Sequence, residues 1–128
     1  MEKRTGIWID HCKAMIVDPQ KKNITKIEAE TKNLVDRTRQ TRFGEQYLNP
    51  EKKLEAKRKK VLKDYYNNVI NQLDNESELY IFGPASAKIE LQKELDNTHK
   101  KFTRVTVAVS DNLTDNQIIA KVRSFFKD

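Results

Sequence analysis

Leu79-Tyr80-Ile81-Phe82-Gly83-Pro84-Ala85-Ser86-Ala87-Lys88-Ile89-Glu90-Leu91-Gln92-Lys93-Glu94-Leu95 is the stretch that decides the fold. Its first four residues form a continuous apolar run with no alternation, the pattern of a strand buried on both faces. Gly83-Pro84 stops that run, and Ala85–Leu95 follows with Ile89, Leu91 and Leu95 at spacings that predict an inward helical face. A buried strand that feeds a helix is half of a parallel βαβ unit. Parallel partners are therefore expected on either side of it.

Downstream, Phe102–Val109 alternates as a last strand. Thr114-Asp115-Asn116-Gln117 is a capping box that opens a final helix, with Ile118, Ile119, Val122, Phe125 and Phe126 on its buried side. Upstream, Asn49-Pro50-Glu51 starts a long helix: Asn at the N-cap, Pro at the first position, an acid in the first turn. Its stripe runs through Leu54, Val61, Leu62, Tyr65, Val69 and Leu73. Before it come three short runs of β-formers, Thr5–Asp10, Ala14–Val17 and Ile24–Ala29, separated by turns that begin at Asp10 and Asp18. The third is expected at a sheet edge, where its Lys and Glu would deter pairing with other chains. The order βββαβαβα predicts an α/β fold with a single mixed five-stranded sheet covered by helices.

At 128 residues, with no repeat or linker composition, the chain is expected to be one domain. A single cysteine, Cys12, cannot close an internal disulfide and suits a reducing compartment. The N-terminal apolar run is too short for a signal peptide, and no run approaches a membrane span, so a cytoplasmic protein without membrane association is expected.

Charge is distributed unevenly. Thr31–Lys63 holds eleven basic residues against four acids, a net of +7, which leaves fourteen basic and fifteen acidic residues elsewhere. Segregation of this kind points to a polyanion partner. Residues 31–49 form a long basic loop without either period, and such loops inside compact domains are usually functional or disordered. Arg37, Arg39 and Arg42 can each offer a two-pronged donor to phosphate. On the helix, Lys53, Lys57 and Lys60 line up as a rail, with Lys52, Lys59 and Lys63 as a second row. Arg58, nearer the apolar stripe, is expected to lay its stem along the core edge. Phe43 and Tyr47 could stack on unpaired bases.

GIWIDHCKAMIV (Gly6–Val17), LYIFGPASAKIELQKEL (Leu79–Leu95) and VSDNLTDNQIIAKVRSFF (Val109–Phe126) resemble small bacterial proteins related to the middle domain of class-one peptide-release factors and Pelota. The most distinctive marks are Ile81-Phe82-Gly83-Pro84 and Leu113–Ile118. The resemblance implies a ribonuclease-H-like fold of translational machinery components. It also implies an accessory role with the ribosome, rRNA or tRNA as partner. In release factors the corresponding loop carries Gly-Gly-Gln. Here Gly44-Glu45-Gln46 keeps the first and last residues and replaces the second Gly with an acid, which fits an RNA-lined site poorly.

The preferred reading is thus a non-catalytic RNA- or ribosome-associated protein, needing no cofactor. One alternative is a peptidyl-tRNA ester hydrolase acting through Gln46. Another is a protein-interaction module, including a homodimer in which the basic helix meets Asp74–Glu78. Asp10-His11-Cys12 juxtaposes three metal-ligand types, but successive turn residues diverge and no second ligand pair accompanies them, so a turn beginning with Asp is expected instead. Gly83–Ser86 is read as a tight strand-to-helix turn, and Ser86 has no base within sequence reach.

Overall fold

The computed structural model describes residues 3–20, 23–30 and 50–127. Its elements are β1 (Arg4–Ile9), β2 (Lys13–Asp18), β3 (Asn23–Glu28), α1 (Pro50–Asn71), β4 (Glu78–Gly83), α2 (Ala87–Asp96), β5 (Arg104–Val109) and α3 (Asp115–Phe125). The expected order βββαβαβα is the one found, in a five-stranded sheet ordered β3-β2-β1-β4-β5. β1, β2 and β3 form an antiparallel meander, and β4 and β5 continue from β1 in parallel. Residues 31–49, including Arg37, Arg39, Arg42 and the Gly44-Glu45-Gln46 triplet, lie outside the described residues.

Strand alternation divides the core into two layers. On one face, Ile7 and Ile9 of β1, Ala14 and Ile16 of β2, and Leu79 and Ile81 of β4 meet Tyr65, Tyr66, Val69 and Ile70 of α1, Leu73 just after it, and Leu91 and Leu95 of α2. On the other, Trp8, Met15, Val17, Tyr80 and Phe82 meet Ile118, Val122 and Phe126 at α3. Trp8, whose role the sequence leaves open, is a core residue only 1% exposed, and its indole N–H points at the Asp111 carbonyl at 3.4 Å.

Two sequence expectations need correction. Ile89 is 40% exposed. It stands two residues, about 200°, from Ala87, while the buried side of α2 is Ala87, Lys88, Leu91 and Leu95. Phe125 is 38% exposed. The helix ends there, Phe126 takes the buried position, and Phe125 lies flat on Tyr80 with ring centroids 4.0 Å apart. The capping box forms as expected: Thr114 accepts from the Gln117 N–H, and Gln117 Oε1 accepts from the Thr114 N–H. At the C-terminal end of α1 the Val69 and Ile70 carbonyls accept from the Gln72 and Leu73 N–H groups, at 3.1 and 3.0 Å, and a side chain from outside adds to the carbonyls at and just past this end. Lys100 Nζ donates to those of Ile70 and Leu73, at 2.9 and 2.6 Å.

Two glycines allow the close approaches that hold these layers. A Cβ on Gly6 would lie under 3.0 Å from the side chain of Val122, so α3 sits directly on β1 at that point. A Cβ on Gly83 would fall under 3.0 Å from the Ile9 carbonyl oxygen, and the backbone there has φ 155°. Backbone against backbone has no soft rotamer to relax. We expect Gly83→Ala to cost about 3 kcal/mol, the upper part of the usual overpacking range. Urea unfolding should show this as a lowered midpoint at unchanged slope. An unchanged midpoint would mean that the ends of β1 and β4 separate freely.

Candidate nucleic-acid interface

The basic residues of the sequence divide into two groups once α1 is in place. Lys57, Arg58, Lys59, Lys60 and Lys63 are all exposed, and among the described residues none of the five forms an ion pair. Lys52 and Lys53 lie in the first turn of α1, with side chains outside the described residues. Lys57 and Lys60 point away from the sheet, on the side opposite Tyr65 and Val69. Arg58 and Lys59 do not. They stand over a cleft of about 330 Å³, together with Glu55 and Leu62.

Arg58 is exposed as a whole residue and lines the cleft beside Leu62. Its position on the helix wheel is a core-facing one, shared with Leu62 and Tyr65. Deep burial in α1 begins only at Tyr65, however, and before Val61 only Leu54 is even partly covered among the described side chains. The inward stripe of α1 thus changes from apolar to charged where it runs past the end of the sheet.

The cleft floor is built from residues that sequence reasoning treated separately. His11 comes from the β1–β2 turn, Ser86 from the β4–α2 turn and Glu90 from the first turn of α2. Glu90 is the hub. Its Oε1 accepts from the Tyr66 hydroxyl at 2.7 Å. Its Oε2 accepts from the Ser86 hydroxyl at 2.9 Å and contacts His11 Nε2 at 3.1 Å. Burial pushes the Glu90 carboxyl up, but the hydrogen bonds from Tyr66, His11 and Ser86 outweigh it and hold the group below the usual carboxylate range. Burial first, and then the bond to Glu90, pushes the Tyr66 phenol far above its ordinary value.

The turns that supply the floor are themselves fixed. Asp10 Oδ1 accepts from the N–H groups of Cys12 and Lys13, both at 2.7 Å, and its carbonyl accepts from the Tyr65 hydroxyl at 3.0 Å. This is the Asp-initiated turn that the sequence suggests. After β4, Ala85 takes the left-handed conformation at φ 55°, which delays the helix start from the expected Ala85 to Ala87. Among the described residues no group of His, Cys, Asp and Glu could hold a metal ion.

Ser86 does have a carboxylate beside it, contrary to the sequence expectation. That carboxylate is a poor base, because its pKa is lowered and three donors already occupy it. The arrangement ties α1, α2 and the β1–β2 turn together rather than activating a nucleophile. Sequence reading missed the cluster because His11 and Glu90 are 79 residues apart. One signal could have found it. Adjacent parallel strands bring the loops after their carboxyl ends together, so the residues following β1 and β4 must be neighbours.

No family model and no curated protein matches the sequence. Among solved structures the chain is similar to the crystal structure of the Thermoplasma acidophilum Pelota protein, with a TM-score of 0.49 and 15% identity. The similarity covers 96% of this chain and 32% of that one, so the chain corresponds to about a third of that protein's length. No helix among the described residues is long and apolar enough to cross a membrane.

The Glu90 hub predicts an acid-sensitive component of stability. The folded pKa lies below the ordinary 4.5, so the contribution is complete above that value and disappears as pH falls through the folded pKa. Melting of wild type and Glu90→Gln between pH 3 and 7 should show a difference that is largest near neutrality and shrinks on acidification. A difference independent of pH would mean that the carboxylate charge is not what the three donors hold.

Proposed function

We propose that this chain is a non-catalytic RNA-binding accessory protein of translation, acting in the cytoplasm as a single domain with the ribosome, rRNA or tRNA as its partner. The observation that carries the reading is the segregated charge. A stretch of net +7 runs into α1, where Lys57, Arg58, Lys59, Lys60 and Lys63 are presented to solvent on a rigid helix. A phosphate backbone meets such a helix with little backbone ordering cost, because the side chains are already arrayed along one element. Arg37, Arg39, Arg42, Lys52 and Lys53 would extend the contact along the chain. The link to translation rests on the sequence resemblance carried by Ile81–Pro84 and Leu113–Ile118.

Co-sedimentation with ribosomes through a sucrose cushion tests the reading. Retention should weaken steadily as salt is raised. It should be lost in a Lys57→Glu, Lys60→Glu, Lys63→Glu variant whose melting temperature is unchanged. On single-stranded RNA, neutralising about five phosphates gives a slope of log K against log salt near −3.5. A variant that sediments like wild type would remove α1 as the contact. Wild type that stays at the top of the gradient at low salt would end the ribosomal reading. It would leave the interaction with an acidic protein, or with the Asp74–Glu78 stretch of a second copy, as the use of the charge.

A further inference from the structure

The cleft beneath α1 has features that a phosphate-gripping surface does not require. It lies beyond the carboxyl ends of β1 and β4, which are parallel neighbours. From these ends the chain departs in opposite directions across the sheet: β1 leads to β2 on one side, and β4 leads through α2 to β5 on the other. Crevices of this kind are where open α/β sheets bind ligands. At about 330 Å³ it falls within the size range of small-molecule sites.

Its polar groups are of two sorts. Glu90 is held at both oxygens by Tyr66, Ser86 and His11, and so holds the floor in place. Glu55 and Arg58, three residues apart on the overhanging face of α1, are exposed, and among the described residues neither forms an ion pair. An acceptor pair and a donor fork therefore line the same cleft over a fixed floor, with Leu62 one turn beyond Arg58 as an apolar surface.

We propose that this cleft receives an unpaired guanine base of the bound RNA, read by Glu55 and Arg58. The inference rests on the RNA-binding reading above and adds a base preference to it. Guanine presents two adjacent donors, N1–H and the N2 amino group, which match the two oxygens of a carboxylate. Its O6 and N7 are acceptors for a guanidinium. The other bases match less well. Uracil offers one N–H between two carbonyl oxygens that repel a carboxylate. Adenine and cytosine place a lone pair beside their amino group. Leu62 and the His11 ring supply faces for the base, and Lys59 at the rim is placed for its phosphate.

Two measurements with the whole chain test this. Titrating isotope-labelled protein with GMP, AMP, UMP and CMP should shift the His11 ring and Ser86 amide signals with GMP and much less with the others. Anisotropy with a labelled oligouridine, with and without a single central G, should show a gain of roughly tenfold for the G-containing strand. Glu55→Gln turns an acceptor into a donor opposite the N2 amino group. It should erase that gain while leaving oligouridine binding and the salt slope as in wild type. The Lys57/Lys60/Lys63 variant should weaken both strands equally.

Equal affinity of wild type for the two strands would overturn the guanine site while leaving the charge-based reading intact. So would a G preference that survives in Glu55→Gln. GMP-specific shifts at His11 with no oligonucleotide binding would do the reverse, supporting the site and sinking the RNA reading.

Discussion

The parallel pairing of β1 with β4 is the constraint on which the rest of the structure depends. It closes so tightly at its carboxyl end that Gly83 lies against the Ile9 carbonyl with no room for a Cβ. The pair is central in the sheet, and both its faces are covered, one by α1 and α2, the other by α3. A parallel pair separated by about seventy residues brings no local contacts to offset loop closure, so its stability must come from burial. The apolar runs supply that burial. Ile7 lies beside Ile81, and Trp8 beside Phe82.

The tight end of this pair also builds the cleft. Because β1 and β4 finish side by side, the turn carrying His11 and the turn carrying Ser86 arrive at the same place. A left-handed residue at Ala85 then sets the angle at which α2 leaves, and Glu90, one turn into α2, reaches both. Tyr66 brings α1 to the same carboxylate. A half-buried carboxylate with three donors is a costlier device than apolar packing. It is tolerable here because both oxygens of Glu90 have hydrogen-bond partners, which also keeps the group ionised.

The long helix α1 serves two purposes along its length. Its C-terminal half is core, with Tyr65, Tyr66, Val69 and Ile70 against the sheet. Its N-terminal half extends past the sheet and is charged on both its outward and its inward sides. Exposed cations on the far side cost the fold nothing. Glu55, Arg58 and Lys59 on the near side are tolerated because the core has already ended beneath them and water or a ligand can solvate them.

Sequence by itself determined the secondary elements, their order and the sheet they form. These follow from short-range rules: apolar runs, periodicity, turn chemistry at Asp10 and Gly83-Pro84, and a capping box at Thr114. It also determined where the positive charge is concentrated, since counting requires no coordinates. What it left wrong were ends and faces. Hydrophobicity alone places Ile89 and Phe125 inward, but helix phase turns Ile89 toward water and the end of α3 leaves Phe125 half-covered on Tyr80. Only the tertiary structure decided the cleft. His11, Ser86, Glu90 and Tyr66 carry no common local pattern. Their meeting depends on which strands are neighbours and on how far α1 extends past the sheet. Both are set by packing between distant segments, and a linear pattern does not encode them.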